Sequence, residues 1–225
     1  MNVIILKNRL YEEAVSIASI SGFCLVMLAL RIKLSHDFFL IFMGWNLFLA
    51  LIPYGMTWLI KFKSDELKRF PSWFRNSLIT GFIAVWFLFL PNAPYMITDL
   101  KHLQISATYW WIDALLLSSF AIAGVILFYK SLDHFLDVFL IALNSSKIRS
   151  LITHFVVFTC SFGVYLGRSL RYNSWDILSN PTMLFQDIIN LILSPQHHGR
   201  FWSQVILLSI ILSVSYYLYG KILKK

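Results

Sequence analysis

The sequence predicts an all-α, polytopic membrane helix bundle of about six transmembrane helices, and three observations carry that prediction. Hydrophobic residues make up 58% of the 225-residue chain and charged residues only 13%, whereas soluble domains run near half apolar and a quarter charged. The mean hydropathy is +0.70. The apolar residues also fall into uncharged blocks close to the roughly 20 residues that a helix needs to cross a hydrocarbon core about 30 Å thick. The net charge of +8 sits in segments flanking these blocks, with no basic stripe interleaved with aromatics. It therefore marks membrane topology and argues against nucleic acid.

The first span is expected at 14–30. Lys7 and Arg9 precede it as in a signal peptide, but Glu12 and Glu13 abut it and no small-x-small cleavage pattern follows before Arg31. It reads as a retained membrane helix. The second is expected at 38–60 between Asp37 and Lys61, and the third at 76–98 between Arg75 and Asp99. The fourth, 110–132, opens on Trp110 and carries Asp113 near its start. The fifth, 150–170, follows Arg149, carries His154 and ends around Arg168. The sixth, 201–220, lies between Arg200 and Lys221. One membrane domain, 1–225, accounts for the chain.

Orientation follows from Lys and Arg in the connecting segments. The N-terminus, the segments after the second and fourth spans and the C-terminus together carry 13, and the other three segments carry six. Both termini are expected to be cytoplasmic, in a bacterial plasma membrane. Trp110, Trp111 and Trp202 open spans and Tyr216, Tyr217 and Tyr219 close one, as aromatic belts do. Two amphipathic runs read as interfacial or as helix extensions. One is Leu132, Phe135, Leu136, Phe139, Leu140 and Leu143, with Asp133, His134 and Asp137 expected on an exposed face. The other is Met183–Leu193. Cys24 and Cys160 lie inside apolar blocks and read as small buried hydrophobes.

The most informative stretch is Leu90–His102. From Leu78 to Leu90 a helix reaches only about 20 Å at 1.5 Å per residue, so Pro91, Asn92 and Pro94 fall within or at the edge of the outer hydrocarbon zone. Proline removes a helical N–H and disfavours helix in the residue before it. The third helix is therefore expected to break there, which is tolerated at that depth only against protein or a wet cavity. The competing reading is a packed kink with Asp99 capping a short surface helix.

A second stretch runs from Gly163 to Asp176. Gly163 and Gly167 form a G-x-x-x-G face. If the helix continues outward, Arg168 and Arg171 share a face at i, i+3, an arrangement suited to phosphate or carboxylate. Snorkelling to headgroups, pairing with Asp176 and capping by Asn173 or Ser174 explain the same residues without a ligand. Asn46, in the outer half of the second span, needs a partner on another helix. Asp113 needs a counter-charge, for which Arg168 or Arg171 is the expected partner. His197 and His198 read as a solvated loop, and His154 as hydrogen-bonded near the inner interface. No Ser-His-Asp order, H-E-x-x-H, P-loop or G-x-G-x-x-G is present.

These residues carry a family resemblance. Trp45-Asn46-Leu47-Phe48-Leu49-Ala50 with Pro53, Phe89-Leu90-Pro91-Asn92-Ala93-Pro94-Tyr95 with Thr98-Asp99-Leu100 and His102, Asp113, Gly163, Tyr165-Leu166-Gly167-Arg168, Arg171 and Asn173-Ser174-Trp175-Asp176 resemble the bacterial membrane-protein family catalogued as domain of unknown function 1361. The resemblance covers roughly residues 35–220 and implies a polytopic bacterial membrane protein without supplying an activity.

The polar residues come from four blocks, yet the expected topology puts them all at the outer end. An outward-facing site for an anionic or lipid-linked ligand follows. Asn46, Asn92, Tyr95, Asp113, Arg168, Arg171, Asn173 and Trp175 are the candidate ligand-binding residues. Asp99, His102 and Asp176 are the candidate acid–base groups or divalent-cation ligands of a possible enzyme. A small proton- or cation-coupled transporter using Asp99 and Asp113, and a scaffold or assembly partner without catalysis, are the alternatives. The lipid bilayer is the one partner that composition specifies; no cofactor or protein partner is specified.

Overall fold

A computed structural model of the protein describes residues 3–67, 69–104, 108–139 and 145–223, and every regular element among them is helical. Six helical segments are long and apolar enough to cross a membrane: Ile4–Ser35, Phe39–Phe62, Ser72–Leu103, Trp110–Phe139, Ser146–Ser169 and Pro195–Ile222. Their outward surfaces are apolar too, with Val26, Leu115, Ile122, Phe155 and Ile210 exposed. Water would penalise such surfaces and lipid does not. The chain is a multi-pass membrane protein.

The chain divides into two compact units, Met1–Asn144 and Ser145–Lys225. The first contains α1 (Val3–Ser35), a 3-10 turn at Phe39–Ile41, α2 (Phe42–Phe62), α3 (Ser64–Leu67), α4 (Ser72–Phe89), α5 (Asn92–Tyr95), a 3-10 segment Met96–Gln104 and α6 (Trp110–Phe139). The helices overrun the expected spans because those bounds were set at charged residues, and several of these charges are paired inside the unit. Thus α1 runs for 33 residues, about 50 Å, through Glu13 and Arg31. α6 continues to Phe139 with Asp133 and His134 buried rather than on an exposed face. Leu140 and Leu143 lie outside the described residues. Lys61 of α2 ties to Asp137 at 2.9 Å.

α6 is the hub of this unit. It packs against α1, α2, α5 and the Met96–Gln104 segment, and Leu116, Phe120, Leu127, Phe128 and Leu132 are fully or almost fully buried along it. Trp86 of α4 stacks on Phe135 with centroids 4.2 Å apart and donates from Nε1 to Ser131 Oγ at 2.8 Å. Ser131 in turn donates to the Pro53 carbonyl of α2 at 3.0 Å. One hydroxyl thus joins three helices.

The third span breaks where the prolines predict. α4 stops at Phe89, and the chain passes through Leu90 and Pro91 into the four-residue α5 and then 3-10 geometry. Asn92 Nδ2 donates to the Phe89 carbonyl at 2.8 Å, while the Ala93 N–H turns to Leu90 instead. A side-chain amide therefore replaces the backbone donor that an uninterrupted helix would supply. The broken stretch is packed against protein: Leu90, Ala93, Met96 and Asp99 are fully buried. Gly124 of α6 makes this possible, since a Cβ there would lie 2.3 Å from the Ala93 carbonyl oxygen.

The second unit contains α7 (Ser146–Ser169), α8 (Asp176–Ser179), α9 (Pro181–Leu193), a 3-10 turn at Pro195–His198 and α10 (Gly199–Leu223). α7 packs on α10. Leu191 of α9 joins Phe201 and Val205 in a buried cluster, against which Phe162, Tyr165 and Leu166 of α7 pack. Trp202 Nε1 donates to the Leu191 carbonyl at 3.0 Å and pins the end of α9 to the start of α10.

Candidate functional site

Within the first unit, several predicted residues meet one another. Asn46 Nδ2 donates to Asp99 Oδ2 at 3.0 Å, the partner on another helical segment that a membrane-buried amide requires. Asp99 is fully buried inside the 3-10 segment, so it does not cap a surface helix. His102 is half-buried, its ring edge-on to Phe39 and Phe42 at 5.6 and 5.5 Å. Tyr95 lends its carbonyl to Thr98 Oγ1 at 2.6 Å.

Asp113 has a partner that the sequence did not suggest. Its carboxylate is gripped by Arg31 of α1: Nε bonds Oδ1, and Nη2 lies 3.3 Å from Oδ2. Arg31 and Asp113 are 4% and 2% exposed, so this is a fork on a carboxylate with both ions withdrawn from solvent. Arg31 also lies over the Tyr109 ring, 5.3 Å from its centroid, and the Tyr109 hydroxyl donates to the Leu34 carbonyl at 3.0 Å. The expected pairing of Asp113 with Arg168 or Arg171 is replaced by this one. The sequence places Arg31 at the flank of a shorter helix, where a cation needs no partner.

In the second unit the chain leaves α7 at Ser169, with Leu170 closing the last turn and Arg171 in the left-handed region at φ 63°. The helix does not continue, so Arg168 and Arg171 do not share a helical face at i, i+3. Arg168, in the last turn, is half-buried and Arg171 is exposed. Beyond them Asp176 organises a turn. Its Oδ2 accepts from the Asn173 N–H at 2.6 Å and its Oδ1 from Ser179 Oγ at 2.9 Å. The Asn173 backbone donor, followed by Ser179, holds the Asp176 carboxyl below the usual carboxylate range. Trp175, exposed, precedes it in the turn.

Next to this turn is a cleft of about 290 Å³ lined by Leu170, Asp187, Asn190, Leu191, Ser194, His197 and His198. Tyr172 donates from its hydroxyl to Asp187 Oδ2 at 2.7 Å, tying the turn to α9. That bond, with burial and the negative charge beside it, pushes the phenol up from its ordinary value. Asp187, Asn190 and Leu191 stand at i, i+3 and i+4, one stripe of α9, and Ser194 follows as its C-cap. Phe185, Ile189, Ile192 and Leu193 are exposed and fall on the opposite side. The signal for these cleft residues was present in the amphipathic period of Met183–Leu193, which gave the helix but not the use of its polar stripe.

Elsewhere, His154 Nδ1 lies 2.7 Å from the Ser150 carbonyl, hydrogen-bonded as expected. Among the described residues no three His, Cys, Asp or Glu side chains gather as metal ligands.

A sequence model of one protein family, described as a protein of unknown function (DUF1361), matches residues 45–215. No curated protein and no solved structure matches the chain.

Proposed function

The chain belongs to the DUF1361 family of proteins of unknown function, and we propose that it is a membrane protein that binds an anionic, lipid-linked or phosphate-bearing ligand at the extracytoplasmic headgroup level. The observation that carries this reading is the polar cleft of the second unit, flanked in the chain by Arg168 and Arg171. An α9 that is apolar on one side and polar on the cleft side suits the plane of the interface. The cleft is then at the depth of headgroups, where guanidiniums and imidazoles meet phosphates.

In this reading Arg168 and Arg171 supply charge, and His197, His198, Asn190 and Ser194 supply donors within the cleft. The Tyr172–Asp187 bond and the Asn173–Asp176 turn position Arg171. The reading keeps both termini cytoplasmic, supported by the excess of 13 over six cations between the two sets of segments. The test is titration of the detergent-solubilised protein with dioctanoyl phosphatidylglycerol and, separately, dioctanoyl phosphatidylcholine. Preference for the anionic lipid is expected, with Arg171→Ala weakening it about tenfold, one charge-assisted hydrogen bond, while the thermal midpoint is unchanged. Equal binding of the two lipids by wild type and variant would overturn the reading.

A scaffold reading is favoured for the first unit by one observation. Asn46 bonds to Asp99 and Arg31 to Asp113, each pair joining two helical segments as groups that fix helix packing do.

A further inference from the structure

The cleft of the second unit has a charge pattern that attraction of an anion does not by itself explain. Among the described residues no lysine or arginine lines it, and the fixed charge on its wall is the carboxylate of Asp187. The nearest guanidiniums along the chain stand just outside the lining residues. Arg171 follows Leu170, Arg200 lies two residues past His198, and both are exposed. Cations thus flank the cleft while its wall carries the opposite sign.

Asp187 is half-buried. Its Oδ2 accepts from the Tyr172 hydroxyl at 2.7 Å, whereas Oδ1 enters no hydrogen bond or ion pair among the described residues. A carboxylate can only accept hydrogen bonds, so a group that occupies the cleft must turn a donor toward Oδ1. A phosphate at neutral pH offers acceptors and is repelled by the like charge. Asn190, Ser194, His197 and His198 complete the polar wall, and each of these side chains can both donate and accept. That set complements hydroxyl groups, which do the same. The cleft volume of about 290 Å³ equals the liquid share of roughly ten waters at about 30 Å³ each, room for a group the size of glycerol or a sugar.

Resting on the reading of this cleft as an anionic-ligand site, we propose that its ligand is a phosphodiester with a polyhydroxylated headgroup. The hydroxyls donate to Asp187 Oδ1 inside the cleft, and the phosphate stays outside it with Arg171 and Arg200. The guanidiniums supply an attraction common to all anionic ligands, and Asp187 sets the preference among them by repelling a bare phosphate and accepting from a hydroxyl. An ammonium headgroup also donates, but it cancels the negative charge that the guanidiniums attract.

The test is titration of the full chain in detergent with dioctanoyl phosphatidylglycerol, phosphatidic acid and phosphatidylethanolamine, with phosphatidylcholine as the baseline. Phosphatidic acid carries at least as much negative charge as phosphatidylglycerol and has no hydroxylated headgroup. Phosphatidylglycerol should nevertheless bind about tenfold more tightly, the worth of one hydrogen bond to a charged group. Asp187→Asn should remove that preference, weakening phosphatidylglycerol and leaving phosphatidic acid unchanged or tighter, while Asp187→Glu keeps part of it. Soluble glycerophosphoglycerol separates the two sources of this chemistry: competition with the same Asp187 dependence assigns a free phosphodiester, and its absence assigns the lipid. Phosphatidic acid binding as tightly as phosphatidylglycerol overturns the inference. So does tighter binding of phosphatidylethanolamine, or a preference that Asp187→Asn leaves unchanged. Each of these outcomes leaves the anionic preference over phosphatidylcholine, and the reading beneath, in place. If neither anionic lipid outbinds phosphatidylcholine, that reading fails and the inference with it. Should Asp187→Asn not fold, the wild-type comparison of phosphatidylglycerol with phosphatidic acid decides.

Discussion

Arg31 and Asp113 illustrate what a charge inside a bilayer requires. Each alone would be costly at the centre of a span, and together they are held by a two-point grip with almost no solvent. Removing one partner leaves the other charge buried and uncompensated, which costs about 3–5 kcal/mol, whereas replacing both by apolar residues of similar volume is close to neutral. Arg31→Ala should therefore lower the thermal midpoint of the detergent-solubilised protein sharply, and the double replacement Arg31→Met with Asp113→Leu should restore most of it. Equal losses from the single and double replacements would show that the pair does not act as one group. Asp176 makes a different case, because it lies half-buried outside the spans and is held by donors in its own turn. Its depressed titration means that the turn is stabilised throughout the range above the usual carboxylate value. That contribution is lost as the pH falls below about 4 and the carboxyl protonates. The Asn173 amide proton resonance should move in that acid window in the wild type and stay fixed in Asp176→Asn.

Where helices meet, the decisive position is Gly124. The broken third span is tolerated because α5 lies backbone to backbone on α6, and a methyl group at Gly124 would stand 2.3 Å from the Ala93 carbonyl and 2.8 Å from Met96 Cε. Met96 can shift but the carbonyl cannot, so Gly124→Ala should cost about 1–3 kcal/mol through overpacking. At Gly55 of α2 an added Cβ meets nothing within 4 Å, and Gly55→Ala should leave the thermal midpoint unmoved. Both variants can be compared by thermal denaturation in one detergent. The break itself was legible because proline acts on its own backbone and the one before it, a local effect that Pro91 and Pro94 declare wherever the chain goes. The need of Asn46 for a partner was legible for a similar reason: a buried amide is unsatisfied in lipid whatever surrounds it. The identity of a distant partner is another matter. Asp113 can pair with any cation at its depth, and Arg31 gives no signal of its own because a charged residue ordinarily marks the end of an apolar block. The same rule puts Glu13 at a flank and His134 on an exposed face, where the structure shows neither. The end of α7 at Ser169 lies where the span 150–170 puts it, but the left-handed conformation of Arg171, in which glycine is the usual residue, has no signal in an arginine. The cleft beside it depends on α9 turning its polar stripe to the chain that leaves α7, a tertiary fact.

For the chain in its bilayer, the six candidate spans fix that it is multi-pass, while its direction rests on counting cations. That count predicts a measurable asymmetry. An even number of spans puts both termini on one face, and the 13-to-six excess of Lys and Arg predicts that this face is the cytoplasmic one. Cys24 and Cys160 are the two native thiols, and at 0% and 1% exposure they are shielded from a water-soluble maleimide. A single cysteine introduced at Thr108 or at Trp175, both exposed, should therefore be labelled by a membrane-impermeant maleimide on intact spheroplasts. One introduced at Lys63 or Lys147 should be labelled only after permeabilisation. Both residues adjoin cationic segments, in which a switch to the outer face would move several charges across the membrane. Labelling in the reverse order would invert the orientation and move the cleft of the second unit to the cytoplasmic leaflet, where its ligand would have to be sought instead. Labelling of Thr108 and Trp175 from opposite sides would mean that one candidate span does not cross.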